Sequence, residues 1–489
     1  MNRSIFNGIT ILGLGPGNPD LLTRQAWDWL NQIPEVYLRT RQHPTIAGFP
    51  SNLEIHSFDE YYQNSEAFET VYRKIVEKIL ELGRRPEGVT YAVPGHPYVA
   101  EATGPEIVKR AKEQDIPVKV IEGISFLELT CSALELDPFP YLSLVDALEL
   151  GSLHHPLFPP SLPVLVAQIY SKETASEVKL TLMTEYPDEH PVRMVHAAGT
   201  AEQVVENVAL YEIDRSPHLG LLTALYVPPL GDDTSLEAFQ EVVAALRAPD
   251  GCPWDREQTH LSLRTSLLQE TYETLAAMDA EDARGMQEEF GDLLMQIVLN
   301  AQIASEDGEF NMADVVQGIN RKIVRRHPHV FGEAKVKGVQ GVLQNWEKLK
   351  AAERKENGQA EVRGILDGVP TVFPSLAQAQ EYQERAARVG FDWAEVKPVI
   401  AKVVEELEEV QTAETPEQQA AELGDLLFST VNLARWYKVD AEAALRETNQ
   451  RFRKRFAYIE KRARESGRNL SEMTLAEMDV FWDEAKRME

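Results

Sequence analysis

The sequence predicts a multidomain chain in which an α/β domain precedes two all-α halves. Three observations predict it. Up to about residue 230, short β-rich apolar runs alternate with helical patterns, the signature of an alternating α/β domain. Beyond about residue 235 the strand signal almost vanishes and long charged amphipathic helices follow one another. Those helices are also written twice, because EFGDLL at 289–294 returns as ELGDLL at 422–427.

In order, the first part offers ITILGLGPG, GVTYAVPGHP, VKVIEG, VLVAQIYS, VRMVHAAG and TALYVPP as strands running into small or turn residues. LLTRQAWDWL and TGPEIVKRAKEQ read as helices between them. Pro228, Pro229 and GDDTS mark a change of character, and the hydrophilic AAERKENGQAEVRG at 351–364 reads as a linker between the helical halves. The expected domains are therefore 1–230, 235–357 and 365–489. A length of 489 residues agrees with about three domains.

Composition removes several classes of function. Two cysteines, Cys131 and Cys252, make no disulfide framework. The start, MNRSIFNGITILGLG, holds a short apolar run without a signal-type cleavage pattern. No window reaches the roughly 18 apolar residues of a membrane helix. The expectation is a cytoplasmic protein with no membrane partner. A net charge of −29 disfavours nucleic acid, whose backbone needs a basic face. It does not disfavour a nucleotide, since a divalent cation reverses the local sign.

The repeat carries the chemistry. Glu406 and Glu409 share one helix face, as do Glu422 and Asp425. Glu409 and Glu422 are centred on 415.5, and so are Glu406 and Asp425, beside Pro416. A helical hairpin folded there brings the four acids to matching levels. In the first copy Glu273 with Glu289, and Glu270 with Asp292, are both centred on residue 281. Four such acids repel one another unless a cation joins them. Oxygen ligands without histidine or thiolate suit Mg²⁺ or Mn²⁺, and the Glu-x-x-His of di-iron bundles is missing from both hairpins. Downstream, Arg451 and Arg455 lie four apart with Lys454 and Asn449 alongside, donors suited to phosphate oxygens. Duplicated structural bundles with solvated charged faces remain the plain alternative.

E-E-x-x-E, E-x-x-D, N-x-[KR]-F-x-x-R-F and a late tryptophan, together with CPWDREQT at 252–259 and RRHPHVFG at 325–332, resemble the MazG nucleotide pyrophosphohydrolase family in two tandem domains. The resemblance implies an all-α fold and Mg²⁺-dependent cleavage of nucleoside triphosphates to monophosphate and pyrophosphate. It implies Glu406, Glu409, Glu422 and Asp425 as metal ligands, with Glu270, Glu273, Glu289 and Asp292 as their first-copy counterparts. Glu405 is then a water-orienting base, Asn449, Arg451, Lys454 and Arg455 hold phosphates, and Trp482 encloses the nucleotide. Helical bundles of this family usually associate, so a homo-oligomer, a dimer, is expected. The first copy departs from the pattern at Gln269, where a glutamate is expected, and glutamine cannot act as a base.

In the first part, Gly13, Gly15 and Gly17 alternate and no G-x-G-x-x-G is present. PGNPDLLT, PGHPYVAEAT at 94–103, EGISFLE at 122–128 and AAGTAEQ at 197–203 resemble the tetrapyrrole (corrin/porphyrin) methylase family. That resemblance implies a two-lobed α/β fold binding S-adenosylmethionine, with Pro16, Gly95, His96, Val99, Ser125 and Phe126 lining the cofactor site. The usual G-D-P loop reads Gly95-His96-Pro97 here. Three readings stand together: a pyrophosphohydrolase, a methyltransferase with a regulatory helical half, and a non-catalytic nucleotide-sensing scaffold.

Overall fold

ITILG, apolar or β-branched until its last residue, forms β1 (Ile9–Gly13) with every residue buried. In the computed structural model, which describes residues 6–63, 68–339, 364–488 and positions 341, 342, 345, 346, 349 and 353, the chain divides into two compact units, Met1–Glu257 and Gln258–Glu489.

The first unit holds two sheets. β1 lies between β4 (Val89–Val93) and β5 (Val118–Ile121), with β2 (Glu35–Leu38) and β3 (Glu54–Ser57) beyond β4. Ile9 is level with Val89 on one side and Val118 on the other, and every pairing in this sheet is parallel. Successive side chains serve opposite faces. Ile11 packs with Ile75, Ile79, Tyr91 and Ile107, whereas Leu12 packs with Leu30, Leu38 and Ile121. Burial on both faces explains why β1 and β4 read as continuous apolar runs rather than alternations.

The second sheet runs β6 (Ser143–Asp146), β7 (Val164–Ala167), β10 (Thr223–Val227), β8 (Pro191–His196), β9 (Val204–Ala209). Only β6 and β7 pair in parallel there. β3, β6 and β9, edge strands of mixed sequence, carry no strong period.

No strand follows Val227 among the described residues. The second unit contains α1 (Arg264–Asp279), α2 (Ala283–Glu306) and α3 (Met312–Arg326), then α4 (Ser375–Arg388), α5 (Val396–Thr412), α6 (Pro416–Trp436), α7 (Ala441–Glu465) and α8 (Leu475–Arg487). The predicted linker at 351–364 falls almost wholly outside the described residues. The turn between α5 and α6 is written locally. Thr415 accepts from the Gln418 amide while Gln418 reaches back to the Thr415 amide, and Pro416 needs no donor in the first turn. Such a cap contributes about 1 kcal/mol. Between α1 and α2, Asp282 caps by accepting from Arg284 and Gly285.

Candidate metal, nucleotide and cofactor sites

The hairpin of α5 and α6 brings carboxylate oxygens of Glu406, Glu409 and Glu422 within 4.8 Å of one another. The hairpin of α1 and α2 does the same for Glu270, Glu273 and Glu289. Short connections and the concentric spacing of the acids produce both clusters. Asp425 and Asp292, the fourth acid of each set, stand outside these close triads and are exposed. Asp425 borders one cavity together with Glu406.

Charge conflict is visible in both clusters. Desolvation within the hairpin raises the Glu409 carboxyl above its ordinary value, and the Glu406 and Glu422 charges add to this against an opposing Lys402. Desolvation also raises Glu270, with Asp292 and Glu273 adding, and Glu289, with Glu273 and Asp292 adding. Glu289 Oε2 is buried without a hydrogen-bond partner. An orphaned carboxylate oxygen beside two other acids fits a hard divalent cation.

Sequence reasoning missed Lys402. Its Nζ lies 2.8 Å from Glu405 Oε1 and 2.7 Å from Glu406 Oε1, and these bonds raise its own pKa. The i, i+3 and i, i+4 spacing to the two glutamates was the available signal. Glu406 is 4 % exposed, so Lys402 balances its buried charge from the rim. Ser266 stands at the corresponding first-copy position, four before Glu270. Gln269, where the second copy has Glu405, donates to Glu273 at 3.2 Å.

On α7, Arg451 bonds Thr448 Oγ1 at 2.8 Å, and the Arg455 guanidinium stacks over Trp482 of α8 at 5.3 Å. Phe452 packs against the same indole, with ring centroids 5.2 Å apart. Asn449 and Lys454 are exposed and have no side-chain partner among the described residues. The structure thus joins Arg455 to Trp482, and no direct bond links Asn449 or Lys454 to the acids. In the first copy Arg326 lies over Trp346 at 5.7 Å. Its guanidinium is also held by Glu353 at 2.7 Å, with Arg325 bonded to the same carboxylate at 2.8 Å.

In the first unit the predicted loops gather at the carboxyl ends of three neighbouring parallel strands, β4, β1 and β5, where open α/β sheets hold ligands. Gly15 and Gly95 exchange backbone bonds of 3.2 and 2.8 Å. A Cβ on Gly123 would meet the Gly95 carbonyl oxygen at 2.2 Å, so only glycine allows β4 and β5 to end so close together. Pro16 is buried beside this contact, and Val99 donates its backbone N–H to the His96 carbonyl at 3.1 Å. Ser125 caps the helix Phe126–Leu134, accepting from Leu127 N at 3.1 Å and donating to Glu128. His96 Nδ1 accepts from Tyr98 N at 3.1 Å, which leaves Nε2 to face Glu122 Oε2 at 2.7 Å. A carboxylate from the end of β5 therefore stands beside the imidazole that replaces the loop acid.

Comparison with known proteins finds matches along the chain. The profile for Tetrapyrrole (Corrin/Porphyrin) Methylases matches residues 8–214, the MazG nucleotide pyrophosphohydrolase domain matches 258–331, and Phosphoribosyl-ATP pyrophosphohydrolase matches 377–452. The uncharacterized protein YabN of Bacillus subtilis (strain 168) is 42% identical over 98% of this chain and 99% of its own length. The nucleoside triphosphate pyrophosphohydrolase/pyrophosphatase MazG of Thermotoga maritima is 41% identical over 51% of this chain and 95% of its own. The Escherichia coli (strain K12) nucleoside triphosphate pyrophosphohydrolase is 41% identical over 52% and 98%. Among solved structures, a Thermus thermophilus uroporphyrin-III-C-methyltransferase aligns over 46% of this chain and 93% of its own, at 18% identity and a TM-score of 0.36. With the first triad inside the MazG match, the second inside the phosphoribosyl-ATP pyrophosphohydrolase match and the glycine-built strand ends inside the methylase match, the chain belongs to the MazG nucleotide pyrophosphohydrolase family and carries a tetrapyrrole methylase domain ahead of its helical half.

Proposed function

We propose that the second helical half, 365–489, hydrolyses nucleoside triphosphates to the monophosphate and pyrophosphate, with 235–357 as its duplicated partner and 1–230 as the methylase domain. The observation that carries this reading is the convergence of Glu406, Glu409 and Glu422 within 4.8 Å. Asp425 completes the ligand set on the same hairpin. Mg²⁺ or Mn²⁺ bound there would supply positive charge to the phosphates and acidify a water.

The chain's own groups do the rest. Glu405, more than half exposed and held by Lys402, accepts the proton of the attacking water. Water adds across the α–β phosphoanhydride, and pyrophosphate leaves. Arg451, Arg455, Lys454 and Asn449 receive phosphate oxygens, and Trp482, already stacked with Arg455, closes over the nucleotide. Lys402 neutralises the acids while no other cation is present and is free to meet a phosphate once one is bound. The exposed Leu407, Leu423, Leu427 and Phe428 on the same hairpin support association with a second copy.

The deciding assay supplies Mg²⁺ with ATP, GTP, CTP, UTP and phosphoribosyl-ATP and identifies the released anion. Pyrophosphate is expected, and release of orthophosphate alone would remove the proposal. For the first unit, S-adenosylmethionine is proposed at Pro16, Gly95, His96, Val99, Ser125 and Phe126. Calorimetric titration with S-adenosylhomocysteine is expected to show one site, abolished by Gly123→Ala through the collision with Gly95. No heat in the parent protein at millimolar ligand would refute the assignment.

A further inference from the structure

At the ends of β4 and β5 one imidazole and one carboxylate face each other, and the backbone holds both in place. Thr23 Oγ1 donates to the Glu122 carbonyl at 3.1 Å. On the other side of Glu122, Gly123 packs so close to Gly95 and Gly13 that no side chain fits there. The Glu122 side chain extends outward from this fixed backbone, 62 % exposed. His96 is oriented by the Tyr98 amide at Nδ1, which leaves the ring one proton on Nε2 to give to Glu122 Oε2. In that tautomer the imidazole adds no charge, and the pair carries the single negative charge of its carboxylate. Glu122 Oε1 has no partner among the described residues.

The other acids on the β4 and β5 loops are committed. Glu101 is 7 % exposed and is held by Arg39 and by the Thr103 amide, and Glu128 accepts from Ser125. Basic side chains are missing from the loops that meet here. GLGPGNPDLLT at 13–23, PGHPYVAEAT at 94–103, EGISFLE at 122–128 and AAGTAEQ at 197–203 contain no lysine or arginine. The last of these belongs to the group because a Cβ on Gly17 would lie 3.4 Å from Thr200, and one on Gly199 would strike Leu129. A phosphate would therefore meet no lysine or arginine on these loops. A ligand with a positive charge meets one open carboxylate at the ends of β4 and β5.

We propose that Glu122, oriented by His96, distinguishes the charge on the cofactor's sulfur, binding the sulfonium of S-adenosylmethionine in preference to the neutral thioether of S-adenosylhomocysteine. The inference rests on the S-adenosylmethionine reading for which ligand enters these loops, and it adds the residue that tells donor from spent product. Methyl transfer breaks the S–CH3 bond, bonds the methyl to an electron pair of the acceptor and returns the bonding pair to sulfur, so the positive charge passes to the acceptor. A carboxylate beside the sulfur attracts the charged donor and has nothing to attract in the product. His96 is the positioning residue, since its Nε2–H occupies Oε2 and leaves Oε1 to the ligand.

Calorimetry on the full chain tests this with S-adenosylmethionine and S-adenosylhomocysteine, which share their adenosine and amino-acid groups and differ by the methyl and its charge. Glu122→Gln, which keeps the shape of an exposed side chain, is expected to weaken S-adenosylmethionine about tenfold and S-adenosylhomocysteine less than about twofold. Combining it with His96→Asp returns one carboxylate from the β4 loop. That double variant is expected to recover S-adenosylmethionine binding to within about threefold of the parent. Both variants are first shown to melt with the parent. Equal weakening of the two ligands in Glu122→Gln, weakening of neither, or no recovery in the double variant would overturn the inference and leave the cofactor site standing. A parent that binds neither ligand would refute the S-adenosylmethionine reading itself, and the inference with it.

Discussion

Pyrophosphate release is expected to fall by about 100-fold or more in Glu409→Gln and in Asp425→Asn, with folding preserved in both. The two halves of that expectation come from the same electrostatics. Glu409 sits above its ordinary pKa because desolvation and the charges of Glu406 and Glu422 oppose its ionisation. The folded state therefore binds this proton more tightly than the unfolded chain does. The contribution of Glu409 to stability is greatest at acid pH and is lost as pH rises from the carboxylate range through the raised folded value. Removing its charge relieves repulsion at neutral pH, so the metal-free variant should melt no lower than the parent. Metal binding runs the opposite way, because cation and proton compete for the same oxygens. In the parent, the Mg²⁺-induced rise in Tm should grow between pH 4.5 and 7, and in Glu409→Gln it should be small throughout. Full activity in either variant, or an undiminished Mg²⁺ response in Glu409→Gln, would remove the metal assignment.

What was legible from sequence follows the range of the interactions. The acids were found because a hairpin converts symmetric sequence spacing into proximity: the first connection is centred on 281, as that symmetry requires, and the second on 414, within two residues of the expected 415.5. β1 and β4 were found because burial on both faces leaves them apolar or β-branched at most positions and free of charge, with Thr10 and Thr90 as their small polar members. The edge strands β3, β6 and β9 were not, nor was the short β2, because their mixed sequences lack the apolar run that marks β1, β4 and the edge strand β5. His96 and Glu122 meet only because β4 and β5 flank β1, which no local pattern encodes. Arg446 and Asp279, 2.7 Å apart and 167 residues distant in sequence, tie the two helical halves together, a contact that becomes visible only once both hairpins are folded.

Equal active sites in the two hairpins would make Glu270→Gln and Glu406→Gln each cost half the turnover. A different outcome is expected: Glu406→Gln removes about 99 % of activity, whereas Glu270→Gln changes it by less than about twofold. Both residues belong to close acidic triads, so the triad alone does not separate the copies. Their surroundings do. Gln269 replaces Glu405 and leaves the first site without that base, and its amide is spent on Glu273. Ser266 replaces Lys402, which removes the cation that holds Glu405 and Glu406 in place. Arg326, the counterpart of Arg455, is already engaged by the nearly buried Glu353, whose carboxyl it holds below the usual range. An internal carboxylate thus stands where a phosphate would need the guanidinium. Cation binding remains open to the first copy, because Glu289 Oε2 is still orphaned and Glu270, Glu273 and Asp292 remain in place. Calorimetry with Mn²⁺ should consequently count two metal sites in the parent and one in either variant. Steady-state release of pyrophosphate should be lost in only one of them. Equal losses of activity in the two variants would show that Gln269, Ser266 and the Arg326–Glu353 pair leave the first site competent, and the asymmetry between the copies would then be one of sequence alone.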